Sequence, residues 1–254
     1  MEWSDEGIVL ASRKHGEASA VVQLFTHAHG RHAGLVRGGG ASKARGVYQS
    51  GNLVAARWRA RLAEHLGAYT CEPVKSHAAA LLDDPLGLAA LTSACALLAV
   101  SLPERHPYPV LYDATLSLIE ALAGGEPAWP ARYVRWELGL LRELGFGLDL
   151  SCCAATGARD GLAYVSPRSG QAVSEAAAAP WRDKLLPLPE FLIAGEDGRD
   201  AVTADDVARG LELTGFFLER RVFAPLNQGV PAARARFVER FARANTISGD
   251  ITGS

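Results

Sequence analysis

The chain has 254 residues, 48% of them hydrophobic and 21% charged, a balance that excludes wholesale disorder and supplies core for one large or a few small domains. Four cysteines in a chain of this length exclude a disulfide-dense secreted scaffold. The net charge of -2 is uneven: residues 1–80 carry ten Lys/Arg against six Asp/Glu, the remainder sixteen against twenty-two, so a basic N-terminal part suited to a polyanion is joined to an acidic body.

Residues 1–76 are expected to be β. Gly7–Ala11 and Ala20–Thr26 are short apolar runs with β-branched residues, separated by the polar turn Lys14-His15-Gly16-Glu17. His27-Ala28-His29-Gly30-Arg31 signals a second turn, Leu35-Val36-Arg37 a restarted strand, and Gly38-Gly39-Gly40 its end. From Leu53 to Leu62, Trp58, Ala60 and Leu62 alternate with Arg57, Arg59 and Arg61, which predicts a strand with one buried and one solvated face. Several short strands at this spacing suggest a small closed barrel or sandwich. The acidic start, Met1 to Glu6, has no apolar signal core, so cytoplasmic placement is expected.

After Pro73 the period changes. Helices are predicted over Ala78–Leu82, Leu86–Leu102, Val110–Leu122 and Ala131–Leu144, within a first helical part at 77–150. The uncharged run Pro85 to Pro103 is long enough for a membrane span, but it is rich in small residues and acidic at both ends; a buried core helix is expected, and no membrane partner. Residues 151–200 are Ser/Gly/Ala/Pro-rich and read as a small β/turn module. Thr203 with Asp206 forms a capping-box signature opening a second helical part, 201–246, with Val207, Leu211, Leu218 and Val222 on its inner face. A last helix is expected over Pro231–Ala244, with a flexible tail at 247–254.

The candidate polyanion site is the basic set Arg13, Lys14, Arg31, Arg37, Lys43, Arg45, Arg57, Arg59 and Arg61. Cations on phosphates release counterions and give binding that is strong, salt-sensitive and indifferent to sequence. Tyr48 and Trp58 are the local aromatic candidates for base stacking, although the alternation of Trp58 with arginines favours a core position. Arg57, Arg59 and Arg61 also fit the solvated face of an edge strand. Gly38–Lys43 fails the spacing of a phosphate-binding loop. His27, His29 and His32 fit polar turn residues better than a metal set, since no carboxylate or Cys lies nearby in sequence. Cys152-Cys153 lacks the two intervening residues of a working dithiol.

Taken in order, these segments resemble the RecO family of recombination mediators. The resemblance is carried by Gly7-Ile8-Val9-Leu10, Gly16-Glu17-Ala18-Ser19, Leu24-Phe25-Thr26 and Gly30-Arg31, then by the basic loop Val36-Arg37-Gly38 with Ser42-Lys43 and Arg45. Its most specific block is Arg135-Trp136-Glu137-Leu138 with Leu144-Gly145-Phe146-Gly147-Leu148-Asp149-Leu150 and Cys153; Arg234 and Arg236 follow near the end. The resemblance implies an α+β protein: an N-terminal OB-fold β-barrel, a helical body, and a small inserted zinc-finger-like module. It also implies a non-enzymatic protein that binds single- and double-stranded DNA and anneals complementary strands. The implied partners are RecR, single-stranded-DNA-binding protein and, indirectly, RecA. Zinc binds that module in some members. Here Cys152 and Cys153 are adjacent and no second pair follows, so neither zinc nor another cofactor is expected. By the same resemblance the helix with Arg132, Arg135 and Arg142 is the candidate partner face, a basic, apolar-striped surface for an acidic, hydrophobic tail. An OB-fold RNA-binding protein of translation or RNA processing remains the alternative, because the barrel physics is shared.

Overall fold

The computed structural model describes residues 1–193 and 202–251, and the side chains of residues 42, 43 and 246–251 lie outside the description. Five strands form a closed barrel: β1 (Glu2–His15), β2 (Ser19–Thr26), β3 (Gly30–Val36), β4 (Leu53–Arg59) and β5 (Ala68–Lys75), in the order β1-β2-β3-β5-β4. The long β1 closes the ring by serving two neighbours. Glu2–Ile8 pairs with β4 and Gly7–His15 with β2, and an irregularity between Val9 and Ala11 lets the strand turn between them. β3 meets β5 in a short parallel contact, Leu35 and Val36 opposite Ala68 and Tyr69. This five-stranded closed barrel is the OB arrangement. Inward positions of the alternating strands fill it: Val9, Val22, Leu24, Val54, Trp58 and Tyr69 are all buried.

The strands depart from the sequence reading in two places. β3 starts at Gly30, inside the expected turn, because Gly30 adopts φ +63 and leads straight into pairing with Thr26. A side chain there would also meet the His106 carbonyl oxygen at 1.9 Å. β4 stops at Arg59, so Leu62, expected to be inward, is 46% exposed in the following loop. That loop closes on the barrel: Gly67, with φ +64, lies against Trp58, whose Nε1 donates to the Leu66 carbonyl at 2.9 Å.

The chain divides into two compact units. The first, Met1–Glu126 with Pro231–Phe237, holds the barrel, a short α1 (Ser42–Arg45), α2 (His77–Ala80), α3 (Pro85–Ser101) and α4 (Pro109–Ala123). The Asp84 side chain caps α3 by accepting from the Leu86 and Gly87 amides. α3 is apolar all round and packs on β1, as a buried helix must. Among the described residues no helix is long and apolar enough to cross a membrane.

The second unit contains α5 (Trp129–Glu143), β6 (Leu162–Val165), β7 (Ala172–Ser174), α6 (Glu175–Ala178), β8 (Leu186–Pro187), α7 (Ala204–Phe217) and the part of α8 (Ala232–Ile251) beyond Phe237. β7-β6-β8 is a three-stranded sheet, the small module of an otherwise helical unit. The capping box at Thr203 and Asp206 forms, and Val207, Leu211, Leu218 and Val222 are buried as expected; after Phe217 the helix loosens into a π-helical segment, Leu218–Phe223. α8 runs on to Ile251, past the expected end near Ala244, so residues 247–251 of the expected tail are helical and 252–254 lie outside the described residues.

Candidate nucleic-acid interface

The nine basic residues of the candidate set do not form one surface. Ser4 lies opposite Arg57, and Lys14 lies ten residues further along β1, about 33 Å of strand at the usual rise. Arg57, Arg59 and Arg61 therefore stand at one end of β1, and Arg13, Lys14, Arg37 and Arg45 belong to the other.

At the second end, Lys14 lies opposite Ala20, a buried inward residue, so its side chain shares the barrel side of the sheet; Arg13, opposite Val21, takes the outer side. The loop after β3 folds back onto the β1–β2 turn. The Gly40 amide donates to the Ala18 carbonyl at 3.0 Å, and a Cβ on Gly40 would stand 2.9 Å from the Ser19 oxygen. The close approach permitted by the glycine run is thus to the chain's own backbone. It carries the next residues over the barrel mouth and leaves a cleft of about 440 Å³, lined by Ser12, Lys14, Ala20, Gly39, Gly40, Arg45, Tyr48 and Gln49. Among the described residues two cations and no carboxylate line it; Arg37 is exposed just before the glycine run, Arg13 is exposed on the outer side of β1, and Glu17 sits exposed in the neighbouring turn. Tyr48 is 8% exposed, so it is a wall of the cleft more than a stacking platform, and burial beside Cys71 pushes its hydroxyl up to about 12. The Lys43 side chain lies outside the described residues.

The other end has a different charge pattern. Arg57 and Arg59 project outward from β4 as the alternation predicts, and Trp58 is core. Arg57 is ion-paired with Glu2, and exposed Glu6 and Glu72 both lie opposite Ala55 on the flanking strands. This mixed face suits solubility of a strand surface better than a phosphate track. Arg31 belongs to neither end. Its Nε donates to the Leu102 carbonyl at 2.7 Å, it lies 3.5 Å from Glu104, and its side chain is 16% exposed.

The three histidines of the expected turn diverge. His27 is exposed and 3.9 Å from Asp113, and His29 stacks on Trp3 at 4.1 Å. His32 lies in β3, buried against Trp58 and Tyr69, with the Tyr69 hydroxyl 3.1 Å from its Nδ1. Burial, helped by the Arg105 charge, pulls the His32 pKa down to about 4. In the module, Cys153 is buried, and its Sγ accepts from the Ser174 hydroxyl at 3.4 Å and amide at 3.3 Å, donors that lower its pKa to about 6. Hydrogen bonds thus occupy this sulfur. Among the described residues no group of three His, Cys, Asp or Glu is placed to hold a metal ion.

On α5, Arg132 and Arg142 are exposed, whereas Arg135 donates to the Phe191 carbonyl at 3.0 Å and lies over the Phe191 ring. Sequence reasoning missed Glu137, fully buried on the same helix and accepting from Thr214 Oγ1 at 2.5 Å. A carboxylate within an apolar stripe carries no local mark of its partner.

Comparison with known proteins agrees with the barrel-and-helix architecture. The family model described as Recombination protein O N terminal matches residues 1–77, and that described as Recombination protein O C terminal matches residues 82–228. The chain is 56% identical over 251 residues to a protein of Rhodospirillum centenum, covering 98% of both. It is 53% identical over 247 residues to one of Rhodospirillum rubrum, covering 96% of this chain and 97% of the relative. A third relative, from Cereibacter sphaeroides, is 51% identical over 246 residues, 96% of this chain and 100% of the relative. All three relatives bear the name DNA repair protein RecO. Family membership also sets aside the reading as an RNA-binding protein of translation. The barrel, the helical body and these matches together place the chain in the RecO family of DNA repair proteins.

Proposed function

We propose that this chain is a recombination mediator that binds single- and double-stranded DNA at the mouth of its barrel and anneals complementary strands, with no covalent chemistry of its own. The observation that supports it best is the cleft lined by Lys14 and Arg45, with no carboxylate among its described lining residues and with Arg13 and Arg37 exposed at the same end of β1. Cations gathered at one mouth can neutralise successive phosphates, and the loops of an OB barrel are where such folds meet oligonucleotides. Arg57, Arg59 and Arg61 are at most a secondary contact, and Arg31 leaves the set.

The same reading makes the protein a cytoplasmic adaptor. RecR and single-stranded-DNA-binding protein are its partners, and loading of RecA is the outcome. For the acidic tail of the single-stranded-DNA-binding protein, the α5 face that carries Arg132, Arg135 and Arg142 is the contact, with Arg132 and Arg142 exposed on it. A titration of fluorescent single strands and duplexes at several salt concentrations tests the DNA reading. Affinity should fall steeply and linearly on logarithmic axes, by about 0.7 in slope per single-strand phosphate contact. A flat salt response would exclude phosphate-driven binding. In parallel, complementary oligonucleotides should anneal faster with the protein present than without it.

A further inference from the structure

The small module carries cationic and aromatic groups that the barrel reading does not use. A cleft of about 540 Å³ lies on it, with Val173, Ala177 and Leu185 as apolar wall and Trp181, Arg168 and Lys184 among its lining. Among the described residues two cations line it, and no carboxylate does. Trp181 is 58% exposed, a large apolar surface left in water. Lys184 Nζ stands 5.4 Å from the Trp181 ring centroid. Neither Arg182 nor Tyr164 lines the cleft; the Arg182 guanidinium lies 5.7 Å from the Tyr164 ring and is ion-paired with Glu175. A third guanidinium, that of Arg221, donates to the Arg168 carbonyl and brings its charge to the same rim. Asp183 is exposed and does not line the cleft.

From the exposed indole of Trp181 set beside Lys184, with Arg168 on the same apolar cleft, we infer a second nucleic-acid contact, in which Trp181 stacks on a base of single-stranded DNA and Arg168 and Lys184 take the flanking phosphates. Base–aromatic stacking tolerates any sequence, because every base has a π-face, and neighbouring cations follow the backbone. The volume suits a ligand of about nucleotide size. An acidic peptide also matches the charge, but a mostly exposed indole face with a cation over it suits a stacked base and its phosphate.

Tryptophan emission of the full chain tests this, because Trp58, Trp129 and Trp136 are buried and Trp3 half-buried. The difference between the wild type and Trp181→Phe isolates the Trp181 signal. Oligo(dT) should quench that signal by at least half at saturation. It should still do so in Lys14→Glu/Arg45→Glu, and Arg168→Glu/Lys184→Glu should weaken the effect at least tenfold. Anisotropy of labelled oligo(dT) is read in the same titrations. A Trp181 signal unmoved while anisotropy reports binding would overturn the module site and leave the barrel reading intact. Absence of both signals would overturn both. Quenching by an acidic peptide but not by oligo(dT) would reassign the cleft to a protein partner and overturn the inference. The wild-type difference signal decides the matter even if the charge-reversed module variant fails to fold.

Discussion

Arg31 Nε donates to the backbone carbonyl of Leu102 at 2.7 Å, and the Arg105 amide returns a bond to the Arg31 carbonyl at 2.8 Å. A residue that reads as a phosphate contact is thereby built into the framework. β3 meets β5 only at Leu35 and Val36, and the segment around Glu104 and Arg105 pairs with β3 further down. Arg31→Ala should therefore cost stability, about 1.5–3 kcal/mol for a charged hydrogen bond largely withdrawn from water. Its DNA affinity, once corrected for folded fraction, should stay within twofold of wild type. Urea denaturation and DNA titration of the same preparation check the pair; a tenfold affinity loss in a fully stable variant would return Arg31 to the interface.

Lys14→Glu/Arg45→Glu should act in the opposite way. Lys14 and Arg45 line the barrel-mouth cleft, and Arg45 is exposed, so the melting temperature should barely move. Barrel-dependent DNA affinity should fall at least roughly tenfold, and the salt slope for single strands should lessen by about 1.4. Arg57→Glu/Arg59→Glu, on the mixed face, should change the slope by less than half as much. A larger effect from the second pair would move the principal site to β4.

His32 gives the fold a pH dependence of definite sign. Its pKa is about 4 in the folded chain and ordinarily 6.5 when unfolded, chiefly because it is buried. The neutral ring's contribution is complete above pH 6.5 and is lost as pH falls through the window from 6.5 to about 4, because the unfolded state takes up the proton first. The full loss is about 3 kcal/mol. Urea midpoints measured from pH 7 to pH 4 should drop more steeply for the wild type than for His32→Phe. Parallel curves would show that another group governs acid unfolding.

His77 is the reverse case, a buried polar ring with neither nitrogen hydrogen-bonded. Burial lowers its pKa as well. Replacement by Leu removes two desolvated polar atoms, so His77→Leu should stabilise the protein by about 1–3 kcal/mol at neutral pH. Calorimetric unfolding reads this directly, and a lower melting temperature would show that the ring has a role beyond filling space.

The Glu137–Thr214 hydrogen bond ties α5 to α7, and both residues are fully buried. Thr214→Val keeps the shape and removes the donor, leaving a desolvated carboxylate short of one partner. The expected cost is about 1–3 kcal/mol. Thr214→Ser, which retains the hydroxyl, should recover at least half of that. Equal losses in the two variants would assign the effect to packing.

Much of the fold was legible in the amino-acid order because its signals are local. The Arg57-Trp58-Arg59 alternation marks a half-buried strand, and Thr203 with Asp206 announces a helix start. The uncharged run after Pro85 announces a helix buried on all sides. Each signal spans a few residues and follows the period of its own element. What only the tertiary structure decided was the grouping of the charges. Nine basic residues look alike along the chain. Strand register places Lys14 and Arg57 at opposite ends of β1, the segment after α3 withdraws Arg31 from solvent, and the module brings Arg168 to the cleft that Trp181 and Lys184 line. Contacts between distant segments are set by the mutual fit of whole strands, and the period of any one of them carries no record of that fit.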